Sequence, residues 1–186
     1  IVMLREGFEI ALIVGIVLAF LNRTGRRDAF FPVWLGAGAA LGVSAILGGA
    51  LFAVGAELTG AGEALWEGLL MLAAAGLLSW MIFWMRTRAR TLKKTLENQV
   101  ESALAGGSSL GLAAVAFVGV LREGVEAALF MVGAVQRSNA IVSILGTVIG
   151  AVCAVGLGYA FYKGSHQLNL QKFFSVTSVL LLGFAA

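Results

Sequence analysis

The chain has 186 residues, of which 60% are hydrophobic and only 12% charged, and its formal net charge is +3. Soluble globular domains are nearer half apolar and a quarter charged, so this composition excludes a soluble enzyme, a disordered segment and a nucleic-acid-binding protein. A mean hydropathy of +0.95 indicates a polytopic membrane protein instead. Because one spanning helix needs about 20 apolar residues, a chain of this length accommodates about six of them.

Apolar runs follow one another along the chain, and all of them are too long to be β-strands. They lie at about residues 1–21, 30–55, 63–85, 110–135, 141–162 and 172–186. We therefore predict an all-α polytopic membrane protein with six visible transmembrane helices. Because the chain starts at Ile1 and the last run stops at Ala186, we expect a few N-terminal residues and a C-terminal portion to be missing.

The loops between these runs are asymmetric in charge. Of the 13 basic residues, ten fall in loops on one side of the predicted bundle, Arg137 falls on the other side, and two lie inside apolar runs. Basic loops stay in the cytoplasm. Loops 22–28, 86–109 and 163–172 are therefore predicted to be cytoplasmic, and the first helix to start outside. Leucine and valine recur every four residues in 86–109, which predicts a helix that faces lipid headgroups or serves as a docking segment.

The two basic residues inside apolar runs, Arg5 and Arg122, each begin a copy of one motif. Residues 4–12 read LREGFEIAL and residues 121–129 read LREGVEAAL, with seven of nine positions identical. The copies are three spans apart, so they cross the membrane in opposite directions. We predict two inverted three-helix repeats, residues 1–85 and 110–186, joined by the basic segment 86–109.

Each motif carries two glutamates three residues apart, which places them on one face of a helix. They are Glu6 and Glu9 in the first copy and Glu123 and Glu126 in the second. If the two helices face each other, four carboxylates meet near the middle of the membrane beside two arginines. The formal sum is −4 + 2 = −2, which suits a cation. Ion pairs that merely hold two helices together are the alternative, although buried membrane charges usually mark a transport path.

The ligand types and the remaining acids narrow the predicted site. Carboxylate oxygens prefer hard cations, and softer metals would require His, Cys or Met. Cys153 stands alone in the fifth run, and His166 falls in a cytoplasmic loop. Glu57, Glu63 and Glu67 are predicted on the outer side, where they would attract cations. Ordinary solvation in a loop is the favoured interpretation for Glu57 and Glu63, whereas Glu67 lies deeper and is the better candidate for a functional role.

Small residues predict where helices pack closely. Gly38 and Gly42 in the second run, and Gly146 and Gly150 in the fifth, form GxxxG pairs that would allow close helix contact. Ordinary membrane-helix glycines are the alternative. Gly7 and Gly124 lie between the glutamates of each motif and would allow the opposing helix to approach.

These motifs are specific enough to resemble a known family. The paired Arg-Glu-Gly-x-Glu motifs, with Leu-Trp-Glu-Gly at 65–68, resemble the oxidase-dependent iron transporter family, which contains the fungal high-affinity iron permeases and the bacterial EfeU proteins. The resemblance implies that Fe³⁺, formed from Fe²⁺ by an external oxidase, passes inward through the four glutamates. Arg5 and Arg122 would balance their charge. It also implies a seventh span, which this sequence lacks.

The resemblance also implies a setting and partners. Fungal C-terminal elements are not visible, so a bacterial inner membrane is expected, with a periplasmic cupredoxin-like protein and a haem peroxidase as neighbours. Iron would be a substrate rather than a permanently bound cofactor, and oligomerisation stays open. A proton-coupled transporter of another divalent cation is the alternative. A membrane enzyme is disfavoured because Cys153 and the loop His166 have no catalytic partner.

Overall fold

A computed structural model of the chain describes residues 2–88, 92–107, 109–137 and 140–164, and these residues are almost entirely helical. The α-helices are α1 (Val2–Arg23), α2 (Phe30–Glu57), α3 (Ala61–Arg88), α4 (Leu92–Ala105), α5 (Ser109–Arg137) and α6 (Ala140–Gly164). The predicted all-helical class is confirmed for this part of the chain. The first five predicted spans correspond to α1, α2, α3, α5 and α6, whereas the run 172–186 lies outside the described residues.

The turn between α1 and α2 shows how the chain reverses in a short distance. Gly25 adopts a positive φ of 73°, which a residue with a side chain rarely tolerates. The Arg26 amide then donates to the Leu21 carbonyl at 2.9 Å, and the Thr24 hydroxyl donates to the Phe20 carbonyl at 3.1 Å. These bonds satisfy carbonyls that would otherwise end the helix without partners. A short 3₁₀ turn, Arg27–Ala29, leads into α2.

Two parallel helix pairs form the frame of the bundle. In the first pair, α1 packs beside α6, and Gly7 lies against Ala154 as Ala11 lies against Gly158. In the second pair, α2 packs beside α5, where the equivalent contacts join Ser44 to Gly124 and Gly48 to Ala128. Within each pair the contacting positions advance together along both helices, so the two helices run in the same direction.

The two pairs meet where α1 crosses α5. Ile13 approaches Gly119 there, and a Cβ on that glycine would lie 3.0 Å from the Ile13 Cγ2. Between this crossing and the C-terminal end of α1, fully buried side chains fill the space between α1, α2 and α5. They include Val17, Leu21 and Val33. α4 closes this half of the bundle with Leu96 and Val100, which are buried against α1 and α5. The segment predicted as a basic loop or helix thus contains a helix that contributes to the core.

The outer surface of the bundle is apolar. Large hydrophobic side chains point outward on α2, α3, α5 and α6, for example Phe31 (73% exposed) and Ile46 (74%) on α2 and Leu65 (75%) on α3. Exposed apolar side chains in this number mark a surface that contacts a membrane or another protein. By length and composition alone, the stretch Arg27–Glu57 is the one described helix that could cross a bilayer unaided, and Ile144–Ala160 is a shorter apolar stretch. α1 and α5 are about 33 Å and 43 Å long at 1.5 Å per residue, but each carries the charged motif.

The close helix contacts do not use most of the predicted glycine pairs. A Cβ at Gly38, Gly42 or Gly146 would meet no atom within 4 Å in the described chain. Close contact on α2 instead involves Gly36, where a Cβ would overlap the Ala113 carbonyl, and Gly48. Of the four predicted glycines, only Gly150 makes a close helix contact. A Cβ added at Gly150 would lie 3.1 Å from the Leu4 amide nitrogen. Spacing alone does not tell which face of an apolar helix meets its neighbour.

Candidate metal site

The charged motifs meet in the interior of the bundle, where α1 crosses α5. Glu123 is residue 15 of the 29 in α5, so the motif lies at the midpoint of that helix. Exposure is 0% for Arg5 and Glu6, 6% for Glu9, 4% for Glu123 and 7% for Glu126. The five side chains are therefore withdrawn from the surface, as the predicted central site requires.

Three of the four motif glutamates form a compact cluster. Glu6, Glu9 and Glu123 each offer a carboxylate oxygen, and these oxygens lie within 4.8 Å of one another. Oxygens bound to one hard cation at about 2.0–2.6 Å are at most about 5 Å apart, so this spacing is compatible with a shared ion. Across the described ranges, no other group of three or more acids, histidines or cysteines meets this distance.

Glu126 lies beside this cluster and is paired with an arginine. The Arg122 Nε donates to the Glu126 Oε1 at 3.2 Å and lies 3.8 Å from the Glu123 Oε1. In the first motif, Arg5 Nε lies 3.3 Å from the Glu9 Oε1. Each arginine therefore contacts the glutamate four residues later on its own helix, which is the ordinary spacing of helical ion pairs. Both predicted charge-balancing residues thus lie against the carboxylates.

Several buried polar atoms in the site lack hydrogen-bond partners among the described residues. They include both Glu6 carboxylate oxygens, Glu123 Oε2, Glu126 Oε2 and the three guanidinium nitrogens of Arg5. More than nine in ten buried polar groups in proteins are hydrogen-bonded, so such a concentration at one point needs an explanation. An ion or ordered water among the carboxylates would satisfy these atoms. Four carboxylates and two guanidinium groups leave a formal charge of −4 + 2 = −2 for a cation to neutralise.

The acids predicted on the outer side do not join this cluster. Glu57 is exposed at the end of α2, and Glu63 is exposed in the first turn of α3. Glu67 and its neighbour Trp66 are half-buried, and the Trp66 indole nitrogen is enclosed with no hydrogen-bond partner in the described part of the chain. Glu67 is thus the more enclosed of the three, and a role for these acids stays a prediction.

One polar residue close to the second motif, Ser44, was not predicted from the sequence. Ser44 is 5% exposed, and its hydroxyl donates to the Ala40 carbonyl at 2.9 Å while lying against Gly124. Gly7 and Gly124 do allow another helix to approach closely, as predicted, but the approaching helix is not the one that carries the other motif. These glycines accommodate Ala154 of α6 and Ser44 of α2, and not each other's helix. The sequence signal that could have identified Ser44 is a polar residue inside a long apolar run.

A bundle with an apolar exterior and a buried acidic cluster at its centre is typical of membrane proteins that transport cations. Residues 1–186 match the model of the Iron permease FTR1 family, and the chain belongs to that family. The predicted family resemblance is therefore confirmed.

The similar proteins of known name agree with this assignment. The chain is 36% identical over 187 residues to the "Ferrous iron permease EfeU" of Yersinia pestis, covering all of this chain and 66% of that protein. It is 38% identical to the protein of the same name from Escherichia coli O6:K15:H31, of which it covers 68%. The chain thus spans about two thirds of the length of the curated relatives that it matches. No solved structure matches it.

Proposed function

We propose that this protein is a permease, not an enzyme, that carries iron across the bacterial inner membrane through the carboxylate cluster between α1 and α5. The observation that carries the proposal is the approach of Glu6, Glu9 and Glu123 to within 4.8 Å in a buried site. Membership of the iron permease family and the names of the relatives support iron as the substrate. Three carboxylates provide hard oxygen ligands, which iron ions accept.

The helix contacts support an inverted repeat as the basis of transport. Residues of the second motif are offset by 117 from those of the first, so Gly7 corresponds to Gly124 and Ala11 to Ala128. In the structure, Gly7 and Ala11 contact α6, whereas Gly124 and Ala128 contact α2. Their partners also correspond, because Ser44 and Gly48 are each offset by 110 from Ala154 and Gly158. Such exchange of neighbours is expected of two repeats related by a pseudo-two-fold axis.

In the proposed mechanism, the two repeats move against each other around the site. Iron approaches from the outer side past Glu63 and Glu67 and loses water as the buried carboxylates replace it. The arginines keep the empty cluster from holding an uncompensated charge of −4. Rocking of one repeat against the other then opens the cluster to the side of the basic loops, which we assign to the cytoplasm.

The oxidation state of the iron belongs to the same proposal. We propose Fe³⁺, produced from Fe²⁺ by a periplasmic oxidase, because a residual charge of −2 favours a highly charged ion. The relatives are named for ferrous iron, so the assay must separate the two ions. Uptake of Fe²⁺ held under ascorbate is compared with uptake of Fe³⁺ citrate, each with Mn²⁺ as competitor. Uptake of Mn²⁺ in preference to both iron ions would favour the proton-coupled transporter of another divalent cation.

Neutralising any member of the cluster is expected to abolish most iron uptake. Glu6→Gln, Glu9→Gln and Glu123→Gln keep side-chain size but remove one anionic ligand, and we expect at least a tenfold loss, on the order of what perturbing a metal site's surroundings already causes. Uptake is measured in cells at matched amounts of protein in the membrane. Glu101→Gln, an exposed acid on α4, is the control and is expected to transport normally. Normal iron uptake by the Glu6→Gln variant would refute the cluster as the transport site.

A further inference from the structure

We propose that the protein forms two three-carboxylate sites in turn, which share Glu6 and Glu123. The described site is completed by Glu9, and the second is completed by Glu126. This inference rests on the proposed function and on the inverted repeat proposed with it. It assigns different roles to glutamates that the sequence motif presents as equivalent.

The four carboxylates lie in two layers across the interface of α1 and α5. Glu9 of α1 approaches Glu123 of α5. Ile13, four residues after Glu9, approaches Gly119, four residues before Glu123. The two helices are therefore antiparallel at the site, and the same register places Glu6 opposite Glu126. At 1.5 Å per residue, the layers are about 4.5 Å apart. The layer of Glu9 and Glu123 is nearer the end of the bundle that bears Arg23 and Arg26. We call the layer of Glu6 and Glu126 the outer layer.

The described cluster uses one layer completely and the other only in part. It contains both members of the layer nearer the basic end, Glu9 and Glu123, but only Glu6 of the outer layer. Exchange of the repeats replaces Glu6 by Glu123, Glu9 by Glu126 and Glu123 by Glu6. The exchanged cluster therefore contains the complete outer layer, Glu6 and Glu126, together with Glu123.

The scaffold around the site is suited to both arrangements. The helices that pack against the two motifs also correspond between the repeats, because α6 packs against the first motif and α2 packs against the second. The side chains themselves are not equivalent in the described state. The Arg5 side chain is 1% exposed, whereas that of Arg122 is 34% exposed. Helix packing is thus similar around the two motifs, whereas the side chains of the site are arranged asymmetrically. One of two alternating conformations of a transporter with inverted repeats is expected to have this combination.

Unsatisfied buried groups indicate that a ligand belongs among these carboxylates. Glu6 is 0% exposed, and neither of its oxygens has a hydrogen-bond partner in the described structure. Arg5 is equally buried, and it points into the cluster with its Nε 3.3 Å from the Glu9 Oε1. Because Glu6 takes part in both three-carboxylate sites, its oxygens are the ones that an ion would contact throughout the exchange.

The proposal predicts that Glu9 and Glu126 serve opposite sides of the membrane. An ion in the outer layer is held by Glu6, Glu126 and Glu123, and after the exchange it is held by Glu123, Glu9 and Glu6. Glu126→Gln should therefore raise the half-saturating concentration of iron offered from the outer side by about tenfold, on the scale of perturbed metal sites. Glu9→Gln should raise the half-saturating concentration by a similar factor only for iron offered from the basic side, and its loss of uptake from the outer side should therefore appear in the maximal rate. Glu6→Gln and Glu123→Gln should impair both directions.

The test uses oriented proteoliposomes and radiolabelled iron, supplied as Fe²⁺ under ascorbate and as Fe³⁺ citrate, with influx and efflux measured separately. Glu9→Asp and Glu126→Asp keep the charge and protect against misfolding, and they should show the same sidedness with a smaller effect. Equal effects of both positions on both directions would overturn the alternating sites while leaving the proposed function intact. Undiminished transport by Glu6→Gln would instead reject the proposed function itself.

Discussion

Replacing Arg5 with Met is expected to destabilise the folded protein by about 3–5 kcal/mol, the usual effect of removing one partner from a buried ion pair. Arg5 is 0% exposed and lies 3.3 Å from Glu9, so its loss leaves the buried acids with one positive charge fewer. Thermal unfolding of the purified protein in detergent micelles measures the effect. Adding Glu9→Gln to Arg5→Met removes the unpaired negative charge, and the double variant should recover part of the lost stability.

An exposed ion pair of the same length provides the control for this prediction. Arg26 Nε lies 3.3 Å from the Asp28 Oδ1, but these side chains are 50% and 67% exposed. Exposed pairs contribute about 0–1 kcal/mol because water screens them. Arg26→Met should therefore change the unfolding temperature little. If Arg5→Met and Arg26→Met were equally mild, the buried arginine would not be compensating the acidic cluster.

Replacing Gly36 with Ala is expected to destabilise the α2–α5 contact, at the upper end of the range of about 1–3 kcal/mol for overpacking. The added Cβ would overlap the Ala113 carbonyl, which is helix backbone and cannot turn aside as a side chain would. The two helices must then separate, and the second motif on α5 moves with them. We therefore expect both a lower unfolding temperature in detergent and weaker iron uptake.

Gly38 is the matched control, two residues further along the same helix. A Cβ there would meet no atom within 4 Å. Alanine favours helix over glycine by about 1 kcal/mol, so Gly38→Ala should be neutral or slightly stabilising. Comparison of the two alanine variants separates overpacking from helix propensity. A Gly36→Ala protein as stable as Gly38→Ala would contradict the close approach of α2 and α5.

The sequence by itself determined the helical class, the approximate bounds of five described helices and the identity of the charged motif. Long apolar runs are local features, and a buried Arg-Glu-Gly-x-Glu motif is conspicuous inside them because charged groups are costly in lipid. The duplication also predicted that Glu6, Glu9, Glu123 and Glu126 meet in one region, and three of these four form the described cluster. The helical class and the helix bounds required no knowledge of which helix contacts which, whereas the meeting of the glutamates assumed that the two motif helices face each other.

Only the tertiary structure decided how the helices pair and which glutamates meet. Helices α2 and α6 are apolar all round, so their sequences do not mark an interface, and Gly36 could not be distinguished from Gly38. Glu126 does not join the other three acids, although it makes the same contact with Arg122 that Glu9 makes with Arg5, so motif spacing alone could not separate the two glutamates. The burial of Leu96 and Val100 of α4 is likewise a property of the assembled bundle. Side-chain periodicity gives a direction around one helix, whereas contact requires the position of a second.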